Sequence, residues 1–124
     1  MILILGGAWQ GKLDFAKRTY DLSDEDIFSC TDINIDLSKP CVYRLEEYTF
    51  ACIQAGLDPM EPFKNLNLRQ NNTIFICQDI FCGVVPMERQ LRLWRDATGK
   101  LCQYLAGEAG AVYRIYCGLE QQLK

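Results

Sequence analysis

Three short stretches of the chain are dominated by aliphatic, β-branched and aromatic residues: Met1–Leu5, Thr73–Cys77 and Ala111–Cys117. Each is too short for a helix, and Gly6 and Gly118 bound the first and the last. Short apolar runs with such flanks read as strands buried on both faces, as in a parallel sheet. Between them the hydrophobic period changes. Leu13, Phe15, Ala16, Thr19 and Tyr20 recur near helical spacing with Asp14, Lys17 and Arg18 interleaved, which predicts a helix over Lys12–Tyr20. Ser38-Lys39-Pro40 has the form of a helix start, a capping hydroxyl followed by a proline whose missing N–H costs nothing there. Val42, Leu45, Thr49, Cys52 and Ile53 then share one face, and Gly56 ends the helix. From Met87 a long helix carries Leu91, Trp94, Thr98, Leu101 and Leu105 on one stripe, with Gly99 a candidate kink. Asp21–Asp36 is acidic and broken, with room for one short strand around Ile27-Phe28. Asp58–Asn72 reads as loop with a turn of helix at Pro62–Asn65. Strands alternating with helices predict a single α/β domain with a mostly parallel central sheet flanked by helices.

Composition narrows the function without choosing it. The 124 residues are 49% hydrophobic and 23% charged, which suits one globular domain with its own core. A net charge of −3 lacks the basic face that nucleic acid or an anionic membrane demands. No apolar stretch approaches a bilayer crossing, and the N-terminal run is too short for a signal peptide, so a cytoplasmic protein is expected. The seven cysteines form no C-x-x-C pair and read as buried structural thiols. Histidine is absent, which removes imidazole as base, ligand or covalent nucleophile.

The chemistry-bearing feature is the break after Leu5 into Gly6-Gly7-Ala8-Trp9-Gln10-Gly11-Lys12, a G-x-x-x-x-G-K sequence between strand and helix. Glycines without Cβ let successive backbone N–H groups turn inward around an anion, and the lysine adds a point charge. The expected architecture is therefore a P-loop NTPase-like three-layer domain. The next position, where Ser or Thr would hold Mg²⁺, is Leu13. Ligands of parallel sheets gather at the carboxyl ends of the strands, which puts Asp79, after the second strand, at the same edge as the loop. Asp79 is thus the candidate Mg²⁺ ligand, the alternative being a helix cap or loop turn. Trp9 either stacks on a ligand or packs. Arg89, Arg92 and Arg95 recur every three residues, either to reach phosphate or a neighbouring subunit, or as the solvated face of a helix.

Several of these segments together resemble one family. Ile76-Cys77-Gln78-Asp79-Ile80-Phe81-Cys82-Gly83-Val84-Val85-Pro86 is similar to the strand and loop of the adenosylcobinamide kinase / adenosylcobinamide-phosphate guanylyltransferase family, which reads there Asn-Glu-Val-Gly, one residue, then Gly-Ile-Val-Pro. Trp94-Arg95-Asp96-Ala97-Thr98-Gly99 resembles its Phe-Arg-Asp-x-x-Gly helix, and the N-terminal loop resembles its Gly-Gly-Ala-Arg-Ser-Gly-Lys-Ser. The resemblance covers Met1 to about Thr19 and Thr73–Lys124.

It implies a cobalamin-pathway protein that uses ATP or GTP with Mg²⁺ to phosphorylate the aminopropanol hydroxyl of adenosylcobinamide. Gly6, Gly7, Ala8, Trp9, Gln10, Gly11, Lys12 and Leu13 would bind the nucleotide, together with Arg95 from the Arg-Asp motif. Lys12 and Asp79 would be the catalytic pair, Asp79 also holding the metal. A corrinoid substrate and a trimeric assembly are implied as partners. The departures are specific. Residues 21–72 form a shortened, divergent middle, where the family carries the histidine that accepts GMP. Asp79 stands for the family glutamate and Cys102 for its asparagine. Without histidine, the guanylyltransferase half has no acceptor. The alternative expectation is a catalytically degenerate nucleotide-binding protein with a regulatory or assembly role.

Overall fold

The computed structural model describes residues 1–124. The expected first strand and helix form β1 (Ile2–Gly6) and α1 (Lys12–Tyr20). They are followed by β2 (Ile27–Ser29), β3 (Cys41–Tyr43), α2 (Leu45–Ala55) and the short α3 (Glu61–Lys64). The chain closes with β4 (Ile74–Gln78), α4 (Arg89–Glu108), β5 (Ala111–Tyr116) and β6 (Leu119–Gln122). The sheet order is β2-β3-β4-β1-β5-β6, parallel throughout except for β6. The α/β class with a mostly parallel sheet flanked by helices therefore holds.

Central β1 explains why its sequence is apolar without alternation. Leu3 and Ile4 are both fully buried, but into different halves of the core. Leu3 joins Leu45, Tyr48, Phe75, Leu101 and Leu105 in the larger half, beneath α2 and α4. Ile4 joins Phe15, Ala16, Ile76 and Ile115 in the smaller half, beneath α1. The fold is three layers, with α2, α4 and the short α3 on one face and α1 on the other.

Two expectations need correction. Ser38-Lys39-Pro40 does not start a helix; the chain enters β3 instead. The Pro40 carbonyl accepts the Ile74 N–H at 2.9 Å, and Cys41 and Val42 are buried against β4. Tertiary pairing outweighs the local capping signal. The helix begins later, after Arg44 takes a left-handed φ of 61°, and ends as expected at Gly56 with φ 71°. The helix expected from Met87 begins at Arg89 and runs through Gly99 to Glu108. A polar stitch holds α4 to α2: Thr98 and Thr49 share a 2.6 Å hydroxyl hydrogen bond, and the Trp94 indole donates to Glu46 O at 2.9 Å.

Gly118 stops β5 as expected, but the chain continues into β6, the sixth strand. Cys117 (φ 51°) and Gly118 (φ 75°) are the two central residues of a tight hairpin turn. Two successive left-handed residues match the right-handed twist of the flanking strands. All four residues of β6 are exposed, so no burial pattern marks it in the sequence.

Candidate functional site

Gly6 closes β1 level with Gln78 of β4, so the glycine-rich loop leaves the sheet at the carboxyl edge beside the end of β4. A Cβ on Gly6 would lie 2.5 Å from the backbone carbonyl of Ile115, a contact that only glycine avoids. The loop then turns through left-handed Trp9 (φ 60°) and Gly11 (φ 90°) into α1. Phe15 is the first amide of α1 with a helical acceptor, Gly11 O at 2.9 Å. The backbone N–H groups of Ala8, Trp9 and Gly11, and those of Lys12 to Asp14, donate to no carbonyl. Unspent amides at a helix N-terminus, reinforced by the helix dipole, form a site for an anion.

Two adjoining hollows open on this loop. One, of about 300 Å³, is lined by Trp9 to Asp14 and Tyr43. The other, of about 320 Å³, is lined by Ala8, Trp9, Lys12, Tyr43, Arg44, Glu46 and Gln78. The Trp9 side chain is fully exposed at their shared rim and plugs neither. Lys12 is buried to 8% exposure, and its Nζ donates to Gly7 O at 2.6 Å. Burial lowers its pKa from the ordinary lysine value; negative charge on Glu46 foremost, then Cys77 and Asp79, offsets part of that shift. The ammonium rests on a loop carbonyl and is held by no carboxylate.

Gln10, expected on the nucleotide, has its side chain committed to the protein. Its Oε1 accepts the Cys117 N–H at 2.6 Å, and its carbonyl accepts the Gly118 N–H at 2.9 Å. The β5–β6 turn thus braces the loop from across 107 positions of sequence. No local pattern announces that pairing.

Ala8 to Leu13 line the hollows, Gly6 and Gly7 line neither, and the other expected residues are placed differently. Asp79 follows β4 at the same edge, its N–H on Gly6 O at 2.9 Å, and its Oδ1 accepts the Cys82 N–H at 3.2 Å in a local turn. It is near enough to act on the charge of Lys12 but lines neither hollow. Arg95 lies outside both, donating to Phe81 O, Gly83 O and Val84 O at 2.9–3.0 Å. Arg92 similarly reaches Pro86 O and Met87 O. Arg89 begins α4 and is exposed.

Glu46, in the first turn of α2, has no counterpart in the sequence reading. It is 5% exposed, lines the second hollow with Lys12, and its Oε2 accepts the Gln78 N–H at 2.9 Å. Its acidic neighbour Glu47 and the polar stretch around it make it look like surface. Only the packing of α2 against β4 turns it inward.

The donor set bears on Mg²⁺. Leu13 offers no oxygen, and no cluster of three acidic, cysteine or histidine side chains could form a protein cage. Mg²⁺ at phosphate sites needs one or two carboxylates besides phosphate and water oxygens. Glu46 in the hollow and Asp79 at the same edge are compatible with that mode.

A glycine-rich loop with free amides at the carboxyl edge of a mostly parallel, three-layer α/β sheet lies where ligands of such sheets gather. Residues 57–123, more than half of the chain, match the family model described as cobinamide kinase / cobinamide phosphate guanyltransferase, and the chain belongs to that family. It therefore stands among the nucleotide-binding kinases and transferases of cobalamin biosynthesis. The match contains Asp79, Arg95 and the β5–β6 turn; the glycine-rich loop lies ahead of it. No curated protein matches the chain. No helix is long and apolar enough to cross a membrane.

Proposed function

We propose that the protein binds ATP or GTP at the Gly6–Leu13 loop and transfers the terminal phosphoryl group to the aminopropanol hydroxyl of a cobinamide. The observation that carries this reading is the set of unspent loop amides beside Lys12, whose ammonium has only a carbonyl to leave. In this scheme the amides hold the β-phosphate region. Lys12 swings from Gly7 O to meet the charge developing on the transferred group. Mg²⁺, bound with the nucleotide, would neutralise phosphate charge at this edge of the sheet. Transfer of a nucleotidyl group through histidine has no acceptor in this chain.

A second reading, binding without transfer, is favoured by Leu13 in the hydroxyl position. Calorimetric titration with ATP and GTP, with and without Mg²⁺, tests the shared premise. Binding that disappears in Lys12→Ala supports both readings. Phosphoryl transfer to cobinamide then selects the first, and its absence despite tight binding selects the second. If neither nucleotide binds at millimolar concentration, both fall.

A further inference from the structure

The nucleotide site contains a carboxylate that the loop sequence and the β4 motif do not supply. Glu46 is nine-tenths buried, yet it lines the hollow that Lys12 also lines. Its position is held from two sides. The Trp94 indole and the Thr49 hydroxyl both donate to its carbonyl at 2.9 Å, and the Gln78 N–H holds one carboxylate oxygen at 2.9 Å. Oε2 is thus engaged, while Oε1 has no hydrogen-bond partner in the protein and is not sealed from solvent. Of the two cations that line this hollow, Lys12 is turned to Gly7 O and Arg44 to Glu47, so neither pairs with the Glu46 carboxylate. A buried carboxylate with one fixed and one free oxygen, beside a phosphate loop, has the chemistry of a ligand for a hard divalent cation.

We infer that Glu46, through Oε1, is the carboxylate that holds the divalent cation of the bound metal–nucleotide, directly or through one water. Its position compensates for the oxygen that Leu13 lacks. Asp79 lines neither hollow, and its Oδ1 accepts the Cys82 N–H in the neighbouring turn. This inference rests on the nucleotide-binding reading above.

The test is calorimetric titration of ATP into the full chain with and without Mg²⁺, for wild type, Glu46→Gln and Asp79→Asn. Glutamine keeps an oxygen for the Gln78 N–H, so the fold-supporting contact survives. The expected result is that Mg²⁺ strengthens ATP binding in wild type and Asp79→Asn by tenfold or more. In Glu46→Gln that gain is expected to shrink to threefold or less, while metal-free ATP binds as well or better. A full Mg²⁺ gain in Glu46→Gln, or its loss in Asp79→Asn alone, overturns the assignment and leaves nucleotide binding intact. Wild type that binds no nucleotide overturns both.

If Glu46→Gln does not fold, the wild-type complex with ATP and Mn²⁺ gives the second measurement. Paramagnetic broadening steepest at the Glu46 carboxylate supports the role, and broadening steepest at Asp79 sinks it.

Discussion

Two glycine-containing loops leave adjacent parallel strands at the same edge of the sheet, and their backbones are used in opposite ways. After β1, the Gly6–Lys12 loop spends carbonyls, giving Gly7 O to Lys12 and Gln10 O to Gly118, and keeps its amides free. After β4, the 81–87 loop gives five carbonyls to the guanidinium groups of Arg92 and Arg95. The first presents positive partial charge to the hollow. The second is a loop tied down by cations from α4. Glycine content alone does not distinguish them; the direction of the hydrogen bonds does.

The largest expected effect separates the loops outright. Lys12→Ala should weaken ATP and GTP binding by about a hundredfold or more, since a charge-assisted contact to phosphate is lost, as titration calorimetry would show. Gly6→Ala comes next. Its Cβ would press on the Ile115 carbonyl, and urea unfolding should report a loss at or beyond the usual overpacking range of about 1–3 kcal/mol.

Arg95→Ala sharpens the contrast from the other side. It should cost about 1–3 kcal/mol in the same assay by releasing three carbonyls, yet change ATP affinity less than threefold. A collapse of ATP binding in Arg95→Ala would break the comparison, because the arginine would then serve the phosphate directly.

Smaller effects test the loop's own parts. The pKa of Lys12 lies below that of ordinary lysine, so ATP affinity should fall as pH rises through the window below 10.5. Folding stability relative to Lys12→Met should rise over that window, because the unfolded chain holds the proton there that the folded one has lost. Gln10→Ala removes one 2.6 Å brace but leaves the backbone bond to Gly118, and should weaken ATP binding by about threefold to tenfold.

Much of this was legible in the chain. The β1–loop–α1 unit follows from apolar continuity, glycine and helical period within twenty residues. The β4 strand and the end of α2 at Gly56 follow in the same way. The start of α2 is not legible, because Ser38-Lys39-Pro40 carries a local helix-start signal that β4 overrides by pairing with β3. β2 falls where Ile27-Phe28 left room for a short strand, whereas β3 is too short to show a period and β6 is exposed throughout.

What the sequence by itself determined is the character of single segments: which backbone can turn, which face must leave water, and that no imidazole is available. The tertiary structure alone decided which segments meet. Gln10 finds Cys117, Glu46 finds Gln78 beside Lys12, and Arg95 ties down the loop after β4, through contacts spanning 11 to 107 positions. The physical reason is that hydrophobic period and backbone freedom are local properties, whereas a hydrogen-bond partner is chosen by sheet order and helix packing.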